Sequence, residues 1–181
     1  TGAPKGVVLT HGNVAANAAD LVRLAPMGPR DVFLSLLPLS HMFEQTVGFF
    51  VPIDRGACVV YLDTLKPSAV VRALKDERVT LAVVVPRILK GLQQGIERET
   101  ATGPKGAYFR AAWAAAGPLP TAGRRVVFRP FHRKLGGRLR FFFCGGAPLE
   151  PETEGFWERL GFPILQGWGL TEASPVLACA A

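Results

Sequence analysis

The chain has 181 residues, 49% of them apolar, and a formal net charge of +7. That length carries one domain with a substantial core, and that much apolar sequence excludes intrinsic disorder. No run of about twenty apolar residues is present, which predicts no membrane-spanning helix.

The chain opens with a Gly/Pro loop, Thr1-Gly2-Ala3-Pro4-Lys5-Gly6, followed by the strand-like Val7-Val8-Leu9. Asn13 is a good N-cap for a helix through about Leu24. Val32–Leu37 reads as a strand stopped by Pro38. Ser40 is placed to cap a helix carrying Phe43, Val47 and Phe50. Ala57–Tyr61 reads as a second strand, and Pro67 suits the first turn of a helix whose apolar side is Val70, Val71 and Leu74. Leu81–Val85 is β-branched and ends at Pro86. Thr100–Gly106 reads as a surface loop. Arg140–Phe143 runs into Cys144-Gly145-Gly146, and Pro163–Leu165 runs into a Gly-bearing turn at Gln166. Short apolar runs separated by helices predict an α/β fold with parallel strands buried on both faces. In such sheets ligands gather beyond the carboxyl ends of the strands. The loops at His41, Gly145 and Gly167 all follow predicted strands, so they are expected to meet in one crevice.

Arg124, Arg125, Arg129, Arg133, Lys134, Arg138 and Arg140 fall close together. They read first as a solvated helix face. Attraction to an anionic membrane surface is a second reading. A nucleic-acid patch is a third, and no stacking row of aromatics accompanies it, so no nucleic-acid partner is expected. Cys58, Cys144 and Cys179 are scattered, odd in number and without a C-x-x-C pair, which fits a cytoplasmic setting better than a disulfide framework or zinc site.

The most informative segment is Gln166-Gly167-Trp168-Gly169-Leu170-Thr171-Glu172. Gly167 and Gly169 allow close backbone approach to a ligand. Trp168 offers a flat apolar face for a base, Thr171 a hydroxyl, and Glu172 a hard oxygen ligand for magnesium. Thr1–Gly6 and Gln166–Glu172, with Leu37-Pro38-Leu39-Ser40-His41-Met42-Phe43-Glu44, Val85-Pro86-Arg87-Ile88-Leu89 and Gly145-Gly146-Ala147-Pro148-Leu149 between them, resemble in order the motifs of the AMP-forming adenylating enzymes. The three central segments are most similar to the long-chain fatty acyl-CoA synthetases. Trp168 stands where that family's Y-G-x-T-E motif has tyrosine, keeping the ring face but exchanging phenol for indole N–H.

The resemblance implies a partial adenylation domain over residues 1–181, part of the family's large N-terminal domain, with the rest of the phosphate loop upstream and a hinge and C-terminal domain downstream. It implies ATP-dependent activation of a fatty acid to its acyl-adenylate and transfer to coenzyme A, with magnesium as cofactor. Its expected partners are those small molecules, with peripheral membrane contact through the basic surface as a further expectation. Thr1, Gly2, Lys5 and Gly6 would hold phosphate, Lys5 and Thr171 acting in catalysis and Glu172 holding magnesium. Gly145, Gly146, Ala147, Gln166, Gly167, Trp168 and Gly169 would shape the nucleotide site. His41, Phe43, Val47 and Gly48 would line the acyl pocket, although Phe43, Val47 and Gly48 would serve equally as core. Another adenylating enzyme, acting on short, aryl or amino acids, remains an alternative, as does a non-catalytic nucleotide-binding homologue. His11 and His132 are expected to be structural.

Overall fold

A computed structural model describes residues 6–180; Thr1, Gly2 and Lys5 lie outside the described residues. Helix α1 spans His11–Leu24. It begins before Asn13, because Thr10 is the N-cap. Thr10 Oγ1 accepts the Asn13 amide proton at 3.1 Å, and Asn13 Oδ1 accepts from the Thr10 amide at 3.0 Å. This reciprocal box satisfies two donors at the helix start. Val7–Leu9 joins no strand, and Val8 is exposed.

Strand β1 is Val32–Ser35. A π-helical segment, Glu44–Phe50, then runs into the short helix α2, Val51–Asp54. Ser40 makes no capping hydrogen bond to it; the residue preceding the segment, Phe43, is already helical. Strand β2 is Cys58–Tyr61, helix α3 Pro67–Asp76, strand β3 Leu81–Val84 and helix α4 Pro86–Glu99. Proline opens both helices in the first turn, where its missing N–H costs nothing. The same preference overturns the loop expected over Thr100–Gly106. Pro104 sits in the first turn of α5, Gly103–Ala116, and only residues 100–102 connect the helices.

Helices α6, Thr121–Val127, and α7, Arg129–Lys134, lead to strand β4, Phe141–Cys144. Helix α8, Pro151–Arg159, leads to strand β5, Ile164–Gly169, a 3-10 turn over Thr171–Ala173, and strand β6, Val176–Ala180. The six strands form one sheet in the order β2-β1-β3-β4-β5-β6, parallel except for β6 against β5. Parallel strands joined through helices leave both sheet faces covered. The strand residues show it by alternation. Leu34, Ala82, Val84, Phe142 and Ile164 enter the core with α3, α4 and α8. Phe33, Leu81, Val83, Phe143 and Leu165 enter the opposite core with α1 and the π-helical segment.

Much of the basic cluster is structural rather than a solvated face. Arg124 donates to the Leu119 and Glu158 carbonyls at 2.8 and 3.1 Å, and Arg125 to the Leu139 and Arg140 carbonyls. Arg140 pairs with buried Asp31 at 2.9 Å. Arg129, Arg133 and Arg138 remain exposed. His132 is structural as expected: it is buried, stacked on Phe162, and hydrogen-bonded to the Leu160 carbonyl at 2.7 Å. Burial, opposed by that hydrogen bond and aided by the nearby Arg125 charge, lowers its pKa to about 4. Among the described residues no helix is long and apolar enough to cross a membrane.

Candidate active site

The carboxyl ends of β1, β3, β4 and β5 lie along one edge of the sheet. The chain leaving each of them contributes to one cleft of about 370 Å³. β1 delivers Leu37, Pro38, His41, Met42 and Phe43, β3 delivers Val85, and β4 delivers Gly146. The far wall is Gly167–Thr171 with Pro175 and Val176. The segments around His41, Gly146 and Gly167 therefore do meet in one crevice, where the topology of an open α/β sheet places ligands.

Gln166–Gly169 is not a turn. It is the last four residues of β5, and β6 supplies its ladder partners, Gln166 opposite Ala180 and Gly167 opposite Cys179, with an irregularity at Trp168/Gly169. Tertiary pairing overrides the poor strand propensity of a Gly-rich run. β6 is fixed from the other side by Asn17 of α1. Its side chain donates to the Val176 carbonyl at 2.6 Å and accepts from the Val176 amide at 3.3 Å.

The glycines serve the protein's own packing first. A Cβ on Gly145 would come within 2.8 Å of the Phe43 ring, and one on Gly167 within 3.6 Å of the same ring. Phe43 therefore occupies the space the two glycines leave. A Cβ on Gly169 would strike the Pro175 carbonyl. Gly146 is different: it is exposed, lines the cleft, and has φ +82°, a backbone conformation natural to glycine. Ala147 is exposed beside it and is not among the cleft residues.

Trp168 is 63% exposed although it is a large apolar ring, and it lines the cleft. Such a ring in a cleft is a ready surface for a flat ligand. Thr171 lines the same wall; Glu172 follows it on the exposed 3-10 turn. Among the described residues Glu172 enters no ion pair, and no group of three or more His, Cys, Asp or Glu side chains gathers in any place. A single free carboxylate fits magnesium, which takes one or two carboxylates and fills the rest of its shell with phosphate oxygens and water. It does not fit zinc, which needs several protein ligands.

His41 is exposed at the cleft, in a turn whose amide donates to the Pro38 carbonyl at 3.0 Å. Val47 and Gly48 do not reach it. Val47 is fully buried in the core beneath the sheet. Gly48 is buried against Glu44, whose carboxyl carbon lies 2.8 Å from where a Gly48 Cβ would stand. A larger side chain at Gly48 would meet that carboxyl rather than fill a tunnel. A second, larger hollow of about 850 Å³ does lie on this side of the sheet, between α1 and the π-helical segment, and Met42 lines both it and the cleft. Its walls include Val14, Ala15, Ala18, Phe50 and Ile53. Sequence reading passed over Pro175, Val176 and the α1 wall, since nothing local links His11–Leu24 to His41–Phe50.

The AMP-binding enzyme family matches residues 1–181. Long chain acyl-CoA synthetase 6, peroxisomal, of Arabidopsis thaliana is 34% identical over 98% of this chain and 26% of its own length. Long chain acyl-CoA synthetase 8 of the same plant is 32% identical over 95% of this chain and 27% of its own length. The chain thus spans about a quarter of the curated relatives it matches. Among solved structures, o-succinylbenzoate CoA synthetase (MenE) of Bacillus subtilis, in complex with the acyl-adenylate intermediate OSB-AMP, superposes with a TM-score of 0.73 at 22% identity, covering 100% of this chain and 30% of that one. With the family match running the length of the chain and its motifs gathered on one sheet edge, this chain belongs to the AMP-binding enzymes, the adenylating family that includes the acyl-CoA synthetases.

Proposed function

We propose that this segment builds the nucleotide cleft and part of the acid site of an AMP-forming ligase that activates a long-chain fatty acid with ATP and transfers it to coenzyme A. The observation that carries the reading is the cleft at the carboxyl edge of the sheet, which shares Met42 as a lining residue with a large, mainly apolar hollow. Adenine would stack on Trp168, and the backbone at Gly146 would approach its edge. The acid's carboxylate would enter beside His41, with its alkyl chain lying past Met42 towards Ala15 and Ile53. Such a carboxylate is already ionised near neutral pH, so His41 is a pocket residue and not a general base. Its oxygen attacks the α-phosphorus of ATP and pyrophosphate leaves; the thiol sulfur of coenzyme A then attacks the acyl carbon and AMP leaves. Both reactants of the first step are anions, so the work of the site is charge neutralisation and alignment. Thr171 would hold phosphate, and magnesium at Glu172 would supply positive charge. The exposed Arg129, Arg133 and Arg138 are the part of the basic cluster that an anionic membrane surface would meet from the cytosol.

The test is ATP- and coenzyme A-dependent thioester formation by the full-length protein over acids of increasing length. Each buried CH₂ is worth about 0.8 kcal/mol, so kcat/KM is expected to climb with chain length until the hollow is full. An optimum at acetate, benzoate or an amino acid would move the protein to another branch of the family. No thioester with any acid would leave a non-catalytic homologue.

Trp168 gives a second expected result. Stacking of a base on an aromatic ring is worth ~1–3 kcal/mol, so Trp168→Ala should raise the KM for ATP by roughly ten- to a hundredfold. Trp168→Tyr, which keeps the ring face, should be mild. The ring is largely exposed, so neither change should lower the melting temperature. Wild-type ATP kinetics in both variants would leave Trp168 without a role in the nucleotide site.

A further inference from the structure

Glu44 is 0% exposed, and among the described residues neither of its carboxylate oxygens has a hydrogen-bond partner. A buried charge without a partner is among the most costly features a fold can keep. It opens the π-helical segment, an irregularity that recurs at functional sites. Its carboxyl occupies the space that Gly48 leaves, since a Cβ there would fall on it. Opposite it stands Ser35, at the end of β1, whose Oγ is also buried and unpaired. Ser35 and the Leu37 backbone lie close enough to pull the Glu44 pKa down, but neither forms a well-directed hydrogen bond with it. Desolvation outweighs them and raises the carboxyl to about 7. A protonated carboxyl gains an O–H donor, and the unpaired Ser35 oxygen is an acceptor.

Among the described residues the surroundings supply no counter-charge. On the helices packed against the segment, Asp20 of α1 pairs with Arg23, and Asp54 of α2 with Arg55. His11 lies exposed at the start of α1. The β1 and β3 strands bring no ionisable side chain. Tyr61 at the end of β2 feels Glu44: burial, and then the Glu44 charge, raise its pKa.

The residues on either side of this contact are cleft residues. Phe43 precedes Glu44 and fills the gap left by Gly145 and Gly167, and Leu37 lines the cleft two residues beyond Ser35. We propose that Glu44 is a positioning residue of the cleft, seating the π-helical segment against the end of β1 as a neutral acid. This rests on the ligase reading above, in which the acid lies beside His41 and Met42. The folded protein binds the Glu44 proton more tightly than the unfolded chain. The stabilisation is therefore complete below the ordinary carboxyl value of 4.5 and is lost as pH rises through about 7. Raising the pH then places an unpaired charge behind Phe43, and the wall of the cleft loosens.

The test uses the full-length protein with Glu44→Gln and Glu44→Ala, pyrophosphate exchange read against pH, and infrared difference spectra of the protonated carboxyl band. Glutamine keeps the shape and is neutral at every pH. Glu44→Gln is therefore expected to retain activity while the decline of wild-type kcat/KM above pH 7 disappears. Glu44→Ala should lower kcat/KM for the acid by roughly tenfold or more, as loss of a buried polar contact does, with the KM for ATP changed less. The wild type should show a protonated carboxyl band near neutral pH that fades as pH rises and is missing in Glu44→Gln. An alkaline decline that survives in Glu44→Gln, or a glutamine variant as impaired as the alanine variant, would overturn the proposal. If the wild type activates no acid at all, the ligase reading fails by itself, and the infrared band still decides whether Glu44 is neutral; its absence from the wild type overturns the inference independently of activity.

Discussion

Glu172→Ala in the full-length protein should cut adenylate formation, measured as pyrophosphate exchange, by about a hundredfold or more. A carboxylate-held cation at a phosphoryl centre is worth several kcal/mol of transition-state stabilisation, and each 1.36 kcal/mol is about tenfold in rate. Glu172→Gln should fail similarly, because the amide keeps the shape but loses the charge. Glu172 is exposed on its 3-10 turn and pairs with no cation among the described residues. Surface changes of that kind usually move stability by no more than about 0.5 kcal/mol, so the melting temperature should hold while the rate collapses. The remaining activity should need more magnesium. Near wild-type exchange in the alanine variant would count against Glu172 as the metal ligand.

Gly169→Ala should instead be a folding variant. The added Cβ would meet the Pro175 carbonyl, a backbone atom on a buried residue, with Val176 Cα 3.0 Å away. A side chain can rotate away from an intruding methyl; this carbonyl can move only if β6 moves, and β6 is held by its ladder with β5 and by Asn17. Overpacking of this kind costs about 3 kcal/mol, the upper part of its usual range. For a chain of this size that is a fall of roughly 6–12 °C in melting temperature. Gly167→Ala is the control: its nearest neighbours stand at 3.6 Å and beyond, ordinary contact distance, and it should lose about 1 kcal/mol or less. Equal melting temperatures for the two variants would show that β6 yields, and that the glycine at 169 answers to something other than the Pro175 backbone.

These two neighbours in one motif separate what sequence shows from what packing decides. A carboxylate after a Gly-rich segment is visible as a string, because its chemistry lies in the side chain itself. What a glycine makes room for is not visible. Gly145 and Gly167 admit Phe43, Gly169 admits Pro175, and Gly48 admits Glu44; each partner is set by another element of the fold.

The sequence by itself determined the class of the fold, because short apolar runs between helices can be buried only as a parallel sheet covered on both faces. It also determined the order of the motif segments, and that the segments at His41, Gly145 and Gly167 would share an edge. The start of helix α1 was less legible, since Thr10 caps it through Asn13, earlier than a cap at Asn13 would imply. The strand-like Val7–Leu9 joins no strand, because a short apolar run becomes a strand only where a partner pairs with it. Only the tertiary structure decided that Gln166–Gly169 is a strand, because the partner that makes it one, β6, comes later in the chain. Only the tertiary structure put Val47 in the core and opened the hollow between α1 and the π-helical segment. And Glu44 stands in the sequence only as the last residue of a motif segment, with nothing local to mark it as buried. Its burial against Ser35, with no charge among the described residues to meet it, arises from the packing of β1, α1 and the π-helical segment together, and desolvation is a property of the surroundings, not of the residue.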